Sequence, residues 1–180
     1  MQAAYDDDTE DDYLSEDGEY VSDEDDDDDE NWVDLSEESL GQLKRNDPKI
    51  NYMKVWWEED EFVNSVDWTE HGCHIGNNTH LKRLDVSFFY YSPWDDAWRN
   101  YEAFCRGIAN NRSIESIAFV DVSLNAGILN IVSPFIEHNS NLRHLTISSC
   151  RIGPESISLL AAALSRRVNK NSLIRIELSD

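Results

Sequence analysis

The side chains best suited to metal binding cluster once in this sequence, as His71, Cys73 and His74 with His80 six residues further on. Zinc requires a closed tetrahedral set, usually delivered as two spaced pairs of ligands. Side chains at i and i+2 of a helix point well apart, and no second Cys/His pair completes the set. No metal is therefore assigned. The run Asp23-Glu24-Asp25-Asp26-Asp27-Asp28-Asp29-Glu30 could associate weakly and non-specifically with Ca²⁺ or Mg²⁺, but flexible carboxylates cannot hold a catalytic geometry. The glycine-rich phosphate loops, the nucleophile elbow and the His-Glu-x-x-His zinc helix are all missing from the sequence. No catalytic residue and no cofactor site is assigned, and the chain is read as a non-enzyme. Cys105 and Cys150 fall within apolar patterns and are expected to be buried structural thiols.

Binding chemistry is better represented. Val55-Trp56-Trp57 runs into Glu58-Glu59-Asp60-Glu61-Phe62, and a second aromatic stretch reads Phe88-Phe89-Tyr90-Tyr91-Ser92-Pro93-Trp94. Tyr and Trp bury a large area with few rotatable bonds, which suits them to contacts between proteins. Phe88 and Phe89 are expected to fill the interior of their own loop. Trp56, Trp57, Tyr90, Tyr91 and Trp94 are expected to form a rim that meets a partner. The acidic residues beside Trp57 would bias that rim towards basic ligands.

Charge separates the chain into two parts. The 180 residues carry 37 Asp/Glu against 15 Lys/Arg, a formal net charge of −22. Residues 1–47 hold 21 of the acidic and 2 of the basic side chains, which leaves the following 133 residues nearly neutral. Residues 1–30 therefore read as a disordered, self-repelling polyacidic tail, because so few apolar side chains cannot offset the entropy of ordering. The tail either solubilises the chain or attracts basic partners in a salt-sensitive way. Thr9 and Ser22 precede acidic residues, a weak match to acid-directed kinase sites. So negative a chain is not expected to bind nucleic acid directly. No run of 18 apolar residues and no basic-then-apolar start occurs, so neither a membrane span nor a secretory signal is expected. Three widely spaced cysteines suit a reducing compartment, cytoplasmic or nuclear.

The neutral part repeats. Ile50-x-x-Met53-x-Val55, Leu81-x-x-Leu84-x-Val86, Ile114-x-x-Ile117-x-Phe119, Leu142-x-x-Leu145-x-Ile147 and Leu173-x-x-Ile176-x-Leu178 share one pattern, with starts 31, 33, 28 and 31 residues apart. Asp47, Asn78, Asn111 and Asn139 each lie three residues before a start, and Asn171 lies two before the last. Alternation along a short strand sends positions four and six of the pattern to one face. Helical stripes follow: Trp68 and Ile75, then Trp98, Tyr101, Phe104 and Ile108. Leu129, Val132, Phe135 and Ile136 make the third, and Ile157, Leu160 and Leu164 behind Gly153-Pro154 the fourth. Each unit is strand, loop, helix and turn. No single unit can bury its own apolar face, so the units must stack into a curved parallel sheet with helices outside.

Leu142-Arg-His-Leu145-Thr-Ile147-Ser-Ser-Cys150-Arg-Ile152-Gly153, followed by the Leu/Ala-rich helix, resembles a leucine-rich repeat of the ribonuclease-inhibitor-like subclass. The resemblance implies an α/β solenoid over roughly residues 46–180, in which an Asn or Cys at the place of Cys150 satisfies backbone groups after the strand. Phe89 and Val122 depart from that pattern, so their turns must be held differently. Family members are mostly protein-binding scaffolds that use the concave sheet face, and some activate the Ran GTPase; no functional motif of those activators is matched here.

The expected organisation is a tail over 1–30, a capping helix within 31–47 opened by Asp34-Leu-Ser-Glu37, and a solenoid over 48–180 with four strand–helix units and a final strand. That last strand reads as the edge of a truncated solenoid, open to self-association. The solvent-facing strand positions are Tyr52, Lys54 and Trp56, then Arg83, Asp85 and Ser87, then Ser116, Ala118 and Val120. His144, Thr146 and Ser148, then Arg175, Glu177 and Ser179 complete them. This mixture suits a protein contact better than a small-molecule pocket. The expected function is a non-catalytic scaffold that binds a protein ligand through this face and the aromatic rim. The alternative, suggested by the resemblance alone, is a regulator of an enzyme such as a Ran-type GTPase activator.

Overall fold

The computed structural model describes residues 37–57, 67–88, 95–167, 173 and 175–179. Along the chain these form α1 (Glu37–Lys44), β1 (Tyr52–Trp57), α2 (Trp68–Asn77), β2 (Arg83–Phe88) and α3 (Asp95–Ile108). Then follow β3 (Ser116–Val120), α4 (Ala126–His138), β4 (His144–Ser148), α5 (Pro154–Arg166) and β5 (Arg175–Ser179). The five strands make one parallel sheet in sequence order. Parallel neighbours need a crossover between them, and the four helices from α2 to α5 lie in those crossovers. The expected acidic tail, and Asp34 of the expected capping box, lie outside the described residues.

Every copy of the repeat pattern yields a strand in the register the pattern implies. Met53 pairs with Leu84, Leu84 with Ile117, Ile117 with Leu145 and Leu145 with Ile176. Positions four and six are buried in the first four copies, as Met53 and Val55, Leu84 and Val86, Ile117 and Phe119, and Leu145 and Ile147. The first position of those four copies is buried too, at Ile50, Leu81, Ile114 and Leu142, while Leu173 of the fifth is half-buried. Trp68, Ile75, Tyr101, Phe104, Ile108, Leu129, Val132, Phe135 and Ile136 close the core from the helix side, as the stripes predict. The fourth stripe needs correcting. Ile157 is 54% exposed, and α5 instead buries Ser156, Leu160 and Ala163. Those three share one face at i, i+4 and i+7, so the helix is turned away from the face that an Ile157–Leu160–Leu164 stripe would bury.

The turn asparagines are structural. Asn111 is fully buried and its side chain makes five hydrogen bonds, one of them from the Ser113 hydroxyl to its Oδ1. Its Oδ1 accepts from the backbone N–H groups of Ser113 and Ile114, and its Nδ2 donates to the carbonyls of Ile75 and Asn78 one repeat earlier. Asn78 and Asn139 hold their own turns in the same way, through the N–H groups of His80, Leu81 and Asn141. Buried carbonyls left without donors would each cost about 1–3 kcal/mol, so the ladder joins turn to turn as well as satisfying each one. In the last turn the donor is Arg167, 4% exposed; Asn171, singled out from the sequence, lies outside the described residues. The Arg167 guanidinium donates to the carbonyls of Ile136, Asn139 and Leu142. Asn111 and Ser113 together serve the three equivalent carbonyls of Ile75, Asn78 and Leu81. One long side chain therefore does the work of two short ones. Burial pulls the Arg167 guanidinium below its ordinary pKa, in the direction desolvation demands.

Strand exits are tight. Asp121 and Ser149, each the residue after a strand, have φ of 55° and 52°. Cys150 then acts as its place in the repeat implies, its thiol within 3.3 Å of the Phe119 carbonyl and 3.2 Å of the Ser148 carbonyl. Val122 has no polar group to do this. Its turn is tied through its backbone, with Arg151 N–H donating to the Val122 carbonyl, Leu124 N–H to the Arg151 carbonyl, and the Val122 N–H bonded to the Cys150 thiol.

The three cysteines are all free: Cys73 exposed, Cys150 half-buried and Cys105 buried. Cys150 is therefore less buried than expected. Burial pushes the thiols of Cys105 and Cys150 up, and at Cys105 a hydrogen bond with Tyr101 opposes that shift. A disulfide reagent is expected to label Cys73 first and Cys150 more slowly, and Cys105 only on unfolding. Peptide mapping after timed labelling checks this order, and early labelling of Cys105 would contradict the packing of α3.

Candidate protein-binding surface

Strict alternation turns the other side chain of each strand pair out of the core, and the parallel register lines those side chains up across the sheet. One row runs Tyr52, Arg83, Ser116, His144, Arg175; the next runs Lys54, Asp85, Ala118, Thr146, Glu177; the third runs Trp56, Ser87, Val120, Ser148, Ser179. The structure thus brings together nine of the residues singled out from sequence: Tyr52, Lys54, Trp56, Arg83, Asp85, His144, Thr146, Arg175 and Glu177. Trp57 ends β1, and only its strand position is described. Tyr90, Tyr91 and Trp94, and the acidic run 58–61, lie outside the described residues.

At the β1–β2 side the surface is ordered by charge-assisted bonds. The half-buried Asp85 carboxylate accepts from Tyr52 Oη at 3.0 Å, from Arg83 Nη2 at 2.9 Å and from Arg83 Nε at 3.3 Å. The Arg83 guanidinium also lies 4.5 Å over the Tyr52 ring. Three side chains on two strands are thereby fixed in one arrangement before any ligand arrives. Lys54 Nζ sits 5.3 Å from the Trp56 ring, which is 51% exposed. At the opposite side Arg175 pairs with Glu177, and Thr146 Oγ1 donates to Glu177 at 3.4 Å. Between the two charged margins lie Ser116, Ala118, Val120 and Ser148, small or short side chains, with the larger His144 beside Ser116. Lys54, Arg83 and Arg175 balance Asp85 and Glu177 closely, so charge on this face gives little preference for a basic ligand.

The other candidates separate. His71 is buried, its Nδ1 3.0 Å from the Asp67 carbonyl and its ring tilted against Trp68. His74 lies 3.6 Å from Glu70, while Cys73 is exposed. Among the described residues no three His, Cys, Asp or Glu side chains converge on a point that could hold a metal ion. No helix among them is long and apolar enough to cross a membrane. A shallow open depression, which the repeat pattern does not reveal, lies between α3 and the turns after β3 and β4. Trp98, Glu102, Asn125, Arg151 and Glu155 are part of its lining. Arg106, one turn along α3, pairs with Glu102 there. Its residues come from the flank of α3, the first turns of α4 and α5 and the loops before them, which no single-segment pattern joins.

A family model described as a leucine-rich repeat matches residues 138–161, the segment that runs from the Asn139 turn through β4 into α5. No curated protein sequence matches the chain. Among solved structures, leiomodin-1 actin-binding site 2 is similar at 16% identity with a TM-score of 0.55, over 79% of this chain and 78% of that one. The Caenorhabditis elegans tropomodulin C-terminal domain is similar at 12% identity with a TM-score of 0.46, over 80% of this chain and 82% of that one. With the repeat register, the in-order parallel sheet and the turn ladder, the family match and the likeness to the leiomodin structure make the chain an α/β solenoid of leucine-rich repeats.

Proposed function

We propose that the chain is a non-catalytic interaction module that takes a protein ligand on the exposed face of β1–β5. The observation that carries this reading is the preset surface at β1–β2, where Trp56 stands half exposed beside the fixed Tyr52–Arg83–Asp85 group. A large rigid aromatic next to pre-ordered charge is the usual composition of an energetic hot spot. Small side chains in the middle of the sheet would admit a protruding element of the ligand. Trp57, Tyr90, Tyr91 and Trp94 extend the contact along the rim in this proposal. The acidic tail adds salt-sensitive attraction to a basic region of the same partner, in the cytoplasm or nucleus. Nucleic acid and membrane are not the ligands proposed. The ribonuclease-inhibitor-like subclass is part of the same proposal, supported by the role of Cys150 and the long helices.

Trp56→Ala is expected to weaken capture of the partner by about tenfold or more, as hot-spot truncations do. Titration of the captured partner against wild-type and variant chains checks this, with actin, the ligand of the leiomodin segment, as one member of the panel. An unchanged affinity would move the contact off this face.

A further inference from the structure

Where the chain enters β2, β3 and β4, the sheet face has a charged border that strand alternation does not describe. The N–H groups of Lys82 and Arg83 both donate to the Asn51 carbonyl, those of Glu115 and Ser116 to the Lys82 carbonyl, and those of Arg143 and His144 to the Glu115 carbonyl. Two successive N–H groups reach one carbonyl only where the chain bends. Lys82, Glu115 and Arg143 therefore leave the alternation, and their half-exposed side chains stand in a row beside the face. Lys49 and Arg112, both exposed, lie in the neighbouring turns, and the Arg112 guanidinium is held by the carbonyls of Ala109 and Asn111. Across the strand entries 46–51, 78–82, 110–115 and 139–143, Lys49, Lys82, Arg112 and Arg143 are opposed by Asp47 and Glu115 alone. This border is positive on a chain whose net charge is −22.

We infer that this border takes an acidic segment of a protein partner, with Lys82 and Arg143 as its carboxylate clamp. The inference rests on the sheet face being the contact surface, and names the ligand chemistry at one side of it. Glu115 shows what the clamp accepts. One of its carboxylate oxygens lies 3.0 Å from Lys82 Nζ and the other 3.9 Å from Arg143 Nε. The second contact is beyond hydrogen-bond distance, which leaves the guanidinium fork of Arg143 for another carboxylate. Exposed ion pairs hold weakly, so an incoming carboxylate exchanges with Glu115 at little cost. Glu115 is thus an internal competitor for its own neighbours. Charge complementarity selects an acidic ligand here, beside a face that is otherwise balanced. Two cations around one carboxylate suit a short acidic peptide better than nucleic acid, which gains its affinity by neutralising many phosphates.

Fluorescence anisotropy of a labelled oligoglutamate peptide, titrated with the full chain at low salt, reads the site directly. Glu115→Gln removes the competitor and is expected to tighten binding by about threefold. A gain in affinity cannot arise from misfolding, which makes this the deciding variant. Lys82→Gln combined with Arg143→Gln is expected to weaken binding by about tenfold or more, with an unchanged circular dichroism spectrum. Arg106→Gln removes one positive charge on α3 and is expected to change nothing. No binding by wild type or by Glu115→Gln would overturn the inference. So would a Glu115→Gln chain that binds no better than wild type, or a double variant that binds as well. A loss in Arg106→Gln equal to that of the double variant would reduce the effect to net charge and overturn it too. Oligothymidylate of matched charge, or phosphatidylserine vesicles, binding as tightly as the peptide would contradict the choice of a protein segment. Failure here, with partner capture still dependent on Trp56, would remove the acidic ligand and leave the sheet-face reading standing.

Discussion

Gly107→Ala is expected to lower the stability of the solenoid by about 3 kcal/mol or more, the upper part of the range for overpacking substitutions. A methyl group at Gly107 would lie 2.1 Å from the carbonyl carbon of Gly72 and 2.5 Å from the Cys73 nitrogen. The contact is reciprocal, since a Cβ at Gly76 would lie 2.2 Å from the Gly107 carbonyl oxygen and one at Gly72 2.6 Å from that of Phe104. Gly72 and Gly76, one helical turn apart, thus let α2 lie backbone to backbone against α3 at Gly107. Every atom in the way is main chain, so no side-chain rotation relieves the clash. The only escape is to separate the helices, and Trp68, packed edge-on at 6.2 Å to Phe104, would be pulled from the core with them. Gly153 is the matched control, because nothing lies within 4 Å of its Cβ position. It caps α5 without a side-chain bond at φ −94° and ψ 171°, so Gly153→Ser is expected to add a few tenths of a kcal/mol. Urea unfolding followed by circular dichroism measures both. A Gly107→Ala midpoint equal to wild type would mean that α2 and α3 do not approach this closely.

Arg167→Met is expected to cost about 3 kcal/mol, because three buried carbonyls lose their donor at once. Methionine keeps much of the aliphatic stem, so the loss reports the guanidinium rather than the volume. The carbonyls of Ile136, Asn139 and Leu142 are enclosed between two repeats, and water would have to enter the turn to replace the donor. Asn111→Ala removes five bonds from the equivalent turn and is expected to be at least as damaging. A loss below about 1 kcal/mol for Arg167→Met would show that those carbonyls find other donors, and that the last turn is held some other way.

Both predictions concern features the repeat pattern carries poorly. The strands were legible because the pattern of Leu142, Leu145 and Ile147 recurs with the same faces in every copy, and a parallel sheet tolerates only one register for it. The turn asparagines were legible for a related reason, since the same buried carbonyls recur in each turn and demand the same donor. Arg167 is not legible in the pattern because the last turn meets that demand with different chemistry, 28 residues after Asn139. Gly72, Gly76 and Gly107 are not legible from apolar stripes, because a close backbone contact leaves no side chain to count, although the spacing Gly-x-x-x-Gly is a usable signal. Ile157 misled because a stripe of three apolar residues fixes a helix face only when its neighbours are known. At the surface, alternation placed Tyr52, Arg83 and Asp85 on one face. It could not show that Asp85 gathers the other two into one group, since that depends on rotamers on adjacent strands.

The central claim is that the sheet face, and not the acidic tail, selects the partner. Capture from lysate with the full chain, with a chain lacking residues 1–30 and with Trp56→Ala, each at physiological and at raised salt, tests it most directly. Exposed charges are screened within about 8 Å at physiological salt and about 3 Å at 1 M, so a tail-driven contact should vanish as salt rises. The account predicts that the tail-less chain keeps its partners at raised salt, while Trp56→Ala loses them at either salt. Partners that disappear with the tail, or with salt, and persist in Trp56→Ala would contradict it and make the acidic segment the binding element.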